Sequence, residues 1–209
     1  EADVIAQFAR RVQTRYEQLA VIKRRYNYCD LTRPGRAELA AWLAGEAIGL
    51  TDGKILIERL IIRMREQRII IPGVSVIERM AGEAMHAADV SVTNDVHVLI
   101  DNEQRALLES LLSEKTHAQQ SRLSWLREPA SRVGGRSLHE ILDKIDLLRS
   151  TKYAAIKVPD NYLPRLAQMA REGARHTAQA LQQMGPARRL TTLVATLREL
   201  EATLSDAAI

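Results

Sequence analysis

Residues Lys54–Met85 read KILIERLIIRMREQRIIIPGVSVIERMAGEAM. Ile55, Leu56, Leu60, Ile61 (or Ile62) and Met64 recur at helical spacing, with Arg59, Arg63, Glu66 and Gln67 elsewhere on the wheel, which predicts an amphipathic helix. Pro72 lacks an N–H and pushes Ile71 toward extended backbone, so that helix must stop before it. Ser75 followed by Glu78 predicts a capping box that restarts a helix. The triple isoleucine Ile69-Ile70-Ile71 is too apolar for water and is expected to be buried between the two helices. A helix, a tight connection and a second helix, rich in arginine, make a candidate nucleic-acid reader. The residues alone carry the reading no further.

The rest of the composition agrees with a helical chain. Its 209 residues suffice for one large or two small helical domains. They are 46% hydrophobic yet only 4% aromatic, and rich in Ala, Leu, Arg, Glu and Gln, where strands would draw on Val, Thr and aromatics in alternation. The expected class is all-α and multi-helix, with a helix-turn-helix-like domain over residues 1–88 and a second helical domain over 89–209. The boundary is set near Asp89–Thr93, where MHAADVSVT loosens the pattern. A net charge of +4 and a pI near 9.4 favour an acidic partner only slightly. A lone cysteine, Cys29, rules out an internal disulfide framework and fits a reducing cytosol. No apolar run has membrane-spanning length. Glu1 without an initiator Met and an uncapped last helix lead us to expect a piece of a longer protein.

In chain order, Asp3 to Ala9 reads as a short helix. Thr14 to Glu17 reads as a capping box for a helix to about Tyr26, with Leu19, Ile22 and Tyr26 inward and Asn27 as its left-handed stop. Thr32 is the expected N-cap of the next helix, with Pro34 in its first turn and Leu39, Trp42, Leu43 and Ile48 inside. Val96, Leu99 and Ile100 form a short helical patch, and Asp101-Asn102 caps a helix carrying Leu107, Leu108, Leu111 and Leu112. Ser113–Gln120 is a loop, Trp125-Leu126 an apolar anchor, and Ser131–Arg136 a connection. Ser137 to Glu140 is a third capping box, before Ile141, Leu142, Ile145 and Leu148. A helix with Leu166, Met169 and Ala170 is interrupted at Gly173. Thr177 caps a short helix, and the last helix starts near Ala187 with Leu190, Leu193, Val194, Leu197 and Leu200 inside.

Catalytic chemistry is hard to find. His86, His97, His117, His139 and His176 lack metal-ligand spacing, and His139-Glu140 has Asp143 where a metalloprotease needs its second histidine. Gly134-Gly135-Arg136-Ser137 lacks the spacing and lysine of a phosphate loop. No metal, cofactor or catalytic site is expected here.

The basic residues form bursts: Arg10, Arg11 and Arg15, then Lys23, Arg24 and Arg25, then Arg33 and Arg36. Arg59, Arg63, Arg65 and Arg68 add a stripe, and Arg188-Arg189 a pair near the C-terminus. Taken singly they read as solvated helix faces paired with Glu17, Glu38, Glu58 and Glu66. Gathered in one helix–turn–helix-like region, they favour phosphate contact with a base-reading helix.

Five ordered motifs carry a family resemblance. They are Gln13–Leu19, Met64–Pro72 leading into Ile77-Glu78-Arg79, Leu123–Arg127, Leu166–Gly173 (LAQMAREG), and Arg188–Ala195. Together they resemble the N-terminal region of the large replicative transposases of class II transposons, the Tn-three family, over essentially the whole chain. The resemblance implies a bacterial, cytoplasmic protein whose N-terminal helical domains bind double-stranded DNA at the transposon's terminal inverted repeats. It also implies that the metal-dependent trio of acidic residues for strand transfer lies in a C-terminal part outside this chain. Where the family often has His and Gly, this chain has Gln18 and Asn27. Arg10, Arg11, Arg15, Lys23, Arg24, Arg25, Arg33, Arg36, Arg63, Arg65, Arg68, Arg188 and Arg189 are the expected DNA contacts, on charge and helix placement. Arg136 is a further basic residue of the second half. The rival expectation is a helical scaffold that contacts the remainder of the transposase or a second protomer.

Overall fold

The computed structural model describes residues 12–116, 118–129 and 135–207, and among them it is all-α, with ten α-helices and no strand. The chain divides into two compact units, Glu1–Glu46 with Asp52–Ala84, and Ala47–Thr51 with Met85–Ile209. The expected helix over Asp3 to Ala9 lies outside the described residues.

The first unit draws on α1 (Val12–Tyr26), α2 (Arg33–Gly49), α3 (Gly53–Glu66) and the start of α4 (Val74–Leu99). Thr32 caps α2 as expected: its Oγ1 accepts from Gly35 N at 3.2 Å and its carbonyl from Arg36 N at 2.8 Å. Asp52 caps α3 by accepting from Lys54 N at 2.8 Å. Leu39 and Leu43 of α2, Leu56, Leu60 and Met64 of α3, and Ile77, Met80, Ala81 and Ala84 of α4 are buried. Their helical spacing is what the apolar pattern encodes, except that Ile55, counted on the same face, is 42% exposed one position off the Leu56–Leu60–Met64 stripe.

Three local expectations fail here for physical reasons. Leu19, Ile22 and Tyr26 do not face inward; they are 39%, 51% and 56% exposed, because α1 joins its unit through its C-terminal end rather than along that face. Ser75 does not cap α4, since Gly73 O already accepts from Val76 N at 2.9 Å and Ser75 lies inside the first turn. Of the three isoleucines only Ile69 is buried, and Ile71 is 37% exposed. Successive side chains of non-helical backbone cannot all face one core.

The segment that reads as loose, 85–93, is the middle of α4, and the patch at Val96 belongs to the same helix. Ala88, Val92 and Val96 continue the buried stripe of Ala81 and Ala84 at intervals of one helical turn. The polar residues between them occupy the opposite face.

The second unit centres on α10 (Pro186–Ala207), where Leu190 to Leu197 is buried without a break. Around it lie α5 (Asn102–Ser113), α6 (Arg122–Arg127), α7 (Gly135–Ser150), α8 (Leu163–Arg175) and α9 (Ala178–Gln182), all contributing to one apolar cluster. Three threonines survive in that run because each hydroxyl donates: Thr191 to Thr93 O at 3.1 Å, Thr192 to Arg188 O and Thr196 to Thr192 O, both at 2.8 Å. Gly173 is not a break in α8 but a point of close approach to α10. A Cβ there would lie 2.6 Å from Thr196 Oγ1 and 2.7 Å from Thr192 Cγ2.

Asp101 and Gln104 form a reciprocal capping box on α5, at 2.7 and 3.0 Å, and Thr177 caps α9 through Ala180 N at 3.1 Å. α7 starts at Gly135, so Ser137 is already inside it and opens no helix. Leu142 is 47% exposed, off the face shared by Ile141, Ile145 and Leu148.

Two buried cations have no counterpart in the sequence reading. Arg165 is fully buried; it donates to Asp89 Oδ1 at 2.7 Å, to Leu50 O at 2.8 Å and to Ala47 O. Lys144, also fully buried, donates to Glu128 O at 2.7 Å, pairs with Glu140 at 2.8 Å and sits 5.4 Å from the Trp125 ring centroid. Spacing held the signal: Arg165 precedes Met169 by one turn, and Lys144 precedes Leu148 by one turn.

Candidate nucleic-acid interface

Two helices of the first unit end in the same way. Asn27 after α1 and Arg68 after α3 are left-handed, with φ of 58° and 54°. Each is followed by a residue whose N–H reaches back across the turn: Tyr28 N to Lys23 O at 2.9 Å, and Ile69 N to Met64 O at 2.8 Å. Arg68 N also donates to Arg65 O at 3.0 Å, which completes a Schellman motif at the end of α3. Asn tolerates this backbone well; arginine does so at a cost of about 1–2 kcal/mol.

The two post-helical segments then meet. Cys29 N donates to Arg68 O and Ile70 N to Cys29 O, each at 2.9 Å, a parallel bridge between Cys29 and Ile69. Arg68 reinforces it by donating to Tyr26 O at 3.4 Å. The bridge therefore brings together the last turn of α1, with Lys23, Arg24 and Arg25, and the last turn of α3, with Arg63 and Arg65. Arg33 opens α2 four residues beyond Cys29. Cations at helix C-termini are favoured by the macrodipole, so part of this arrangement serves the helices themselves.

The expected contact residues fall into three groups. The side chains of Arg24, Arg33 and Arg65 are exposed and make no hydrogen bond or ion pair with any described residue. Lys23, Arg25, Arg36, Arg63 and Arg68 have local partners. Lys23 holds both carboxylate oxygens of Asp30 at 2.6 Å, Arg25 lies 5.9 Å from the Tyr26 ring centroid, and Arg36 meets Glu83 at 3.5 Å. Arg63 lies 5.5 Å from the Trp42 ring centroid and 3.9 Å from Glu66. Exposed pairs of this kind are worth about 0–1 kcal/mol and do not prevent a phosphate from competing.

The third group is engaged more deeply. Arg188 bonds Glu172 at 2.7 Å and lies 3.9 Å from Asp89. Arg189 bonds Glu109 at 2.7 Å, Gln182 O at 2.9 Å and Met184 O at 3.1 Å. These two arginines fasten α10 within the second unit. Arg10 and Arg11 lie outside the described residues, as do the side chains of Arg15 and Arg136.

Among the described residues no group of three His, Cys, Asp or Glu side chains is placed to hold a metal ion. No helix among them is long and apolar enough to cross a membrane.

A family model described as a domain of unknown function (DUF4158) matches residues 1–84. The transposase for transposon Tn2501 of Escherichia coli is 31% identical over all of this chain and 21% of its own length. The transposase for transposon Tn1546 of Enterococcus faecium is 24% identical, and that for transposon Tn21 of Escherichia coli 27%, each over 96% of this chain and 20% of its own length. The chain thus spans about one fifth of the curated relatives it matches.

Proposed function

We propose that this chain, a homologue of part of the Tn-three-family transposases, binds double-stranded DNA at the terminal inverted repeats of its transposon. The observation that carries the reading is the convergence of two basic helix ends on the Cys29–Ile69 bridge. Arg24, Arg33 and Arg65 are unspent there, and guanidinium groups fit phosphate and guanine bidentately. The site works in a bacterial cytoplasm and uses no cofactor, and we assign strand transfer to the part of the transposase that this chain does not span. We assign DNA binding to the first unit, within the 1–88 read from the sequence, and leave the second unit as the second helical domain.

The test follows from which arginines have no structural partner. Arg63 packs on Trp42 and Arg68 holds Tyr26 O, so reversing them would confound binding with folding. Arg24→Glu/Arg65→Glu avoids this. The reading expects lost affinity for a terminal-repeat duplex with the helical circular-dichroism signal retained; unchanged affinity in the folded variant refutes it.

One observation favours a second reading. α1 exposes Tyr16, Leu19, Ile22 and Tyr26 along its length, at 69%, 39%, 51% and 56%. A face of that kind suits contact with the remainder of the transposase or a second protomer. Light scattering with and without DNA separates the two: a stable dimer that ignores DNA favours the scaffold.

A further inference from the structure

The second unit brings together Arg127, Arg171 and Arg175, none of which was among the expected DNA contacts. A cleft of about 300 Å³ is lined by Arg127, Arg171, Arg175, Thr196 and Glu199, among others. Arg127, at the end of α6, is its fixed member: it donates to Gly173 O, in the last turn of α8, at 2.9 Å and to the carbonyl of the capping residue His176 at 2.7 Å. Its Nε–H is buried with no acceptor. None of these partners is a carboxylate, so the charge is desolvated against carbonyl dipoles alone. Burial lowers the pKa of Arg127 from its ordinary value, yet a guanidinium keeps its proton.

Arg171 and Arg175 stand one turn apart on α8, exposed, and neither is paired with any described residue. Like charges at that spacing repel. Three cations thus share one cleft with a single acid in the named lining, Glu199, which forms no ion pair with them. The negative end of the α8 macrodipole offsets part of that repulsion, and an anion entering the cleft relieves the rest. Arg188-Arg189 cannot serve in this way, since Glu172 and Glu109 already hold them.

We propose that the Arg127–Arg171–Arg175 cleft is a second phosphate site, which takes a backbone phosphate of duplex DNA. It rests on the DNA-binding reading above. Arg171 and Arg175 make the contacts, and Arg127 supplies a fixed positive field at the end of α8. A tetrahedral phosphodiester with two free oxygens suits paired guanidinium forks.

The experiment is fluorescence anisotropy of the whole chain against a labelled terminal-repeat duplex over a range of salt. Wild type is compared with Arg171→Gln/Arg175→Gln, with Arg24→Gln/Arg65→Gln, and with Glu199→Gln. Loss of the one neutralised phosphate should lower the log–log salt slope by about 0.9 and weaken binding roughly tenfold at low salt. Glu199→Gln, which removes a repelling charge, should tighten binding. Wild-type slope and affinity in both cleft variants, with weakened binding in Arg24→Gln/Arg65→Gln, would overturn this site and leave the first reading standing. No DNA binding by the wild type would overturn both.

Discussion

Cys29 and Ile69 lie side by side in a parallel backbone bridge, sealed by Cys29 N to Arg68 O and Ile70 N to Cys29 O at 2.9 Å each. The pairing matters because both partners follow helices that end in basic turns. Two left-handed residues, Asn27 and Arg68, turn the chain out of α1 and α3 so that the segments can meet. Position 68 therefore serves the fold through its backbone as well as offering a cation.

That double role gives a first prediction. Arg68→Gly should keep stability within about 1 kcal/mol, because glycine adopts the left-handed backbone freely. Arg68→Val should lose about 1–2 kcal/mol or more, since a β-branched residue strains there. Urea denaturation midpoints measure both. Equal losses would mean that the side chain, not the backbone, matters at this position.

Gly173 should not tolerate alanine. The added Cβ would fall inside the contact radius of Thr196 Oγ1 and Thr192 Cγ2, and overpacking at such a site costs about 1–3 kcal/mol. Thr196→Ala should recover part of the loss in the double variant, as a thermodynamic cycle in urea would show. Additive losses would place the strain elsewhere.

Arg165→Met should destabilise the second unit by about 3 kcal/mol, read from thermal or urea unfolding. Methionine fills the space, but it leaves Asp89 Oδ1, Ala47 O and Leu50 O without their donor. A neutral effect would show that water replaces the guanidinium at no cost.

Stability should also fall at alkaline pH through Tyr153. Burial first, and then its hydrogen bond with Glu201, raise the phenol's pKa above the ordinary 10.0. The folded chain thus keeps this proton to higher pH than the unfolded chain. Its contribution is whole below about pH 10 and is lost as pH rises above that. Tyr153→Phe should cost about 1 kcal/mol at neutral pH, and its deficit should shrink above pH 10. A deficit constant with pH would contradict the assignment.

Legibility in the sequence tracked how local each signal was. Thr32, Asp101 and Thr177 cap helices within three residues of themselves, and the chain shows them directly. Asn27 announces a left-handed stop, whereas nothing in an arginine announces one at Arg68. Ser75 and Glu78 mimic a capping box because the same four-residue pattern also arises inside a helix. The polar residues around His86–Thr93 hid the continuity of α4, whose buried stripe is made largely of small alanines. Of the expected contacts, the ends of α1 and α3 converge, while Arg188 and Arg189 are held by acids from distant helices. The cleft of Arg127, Arg171 and Arg175 joins residues far apart in the chain, so no window of sequence contains it.

The most direct test of the central claim is fluorescence anisotropy of this chain against two labelled duplexes, one with the transposon's terminal inverted repeat and one scrambled, at several salt concentrations. The account predicts tighter binding to the repeat, with affinity for both falling steeply as salt rises. Salt-independent affinity, or no binding to either duplex, would contradict it.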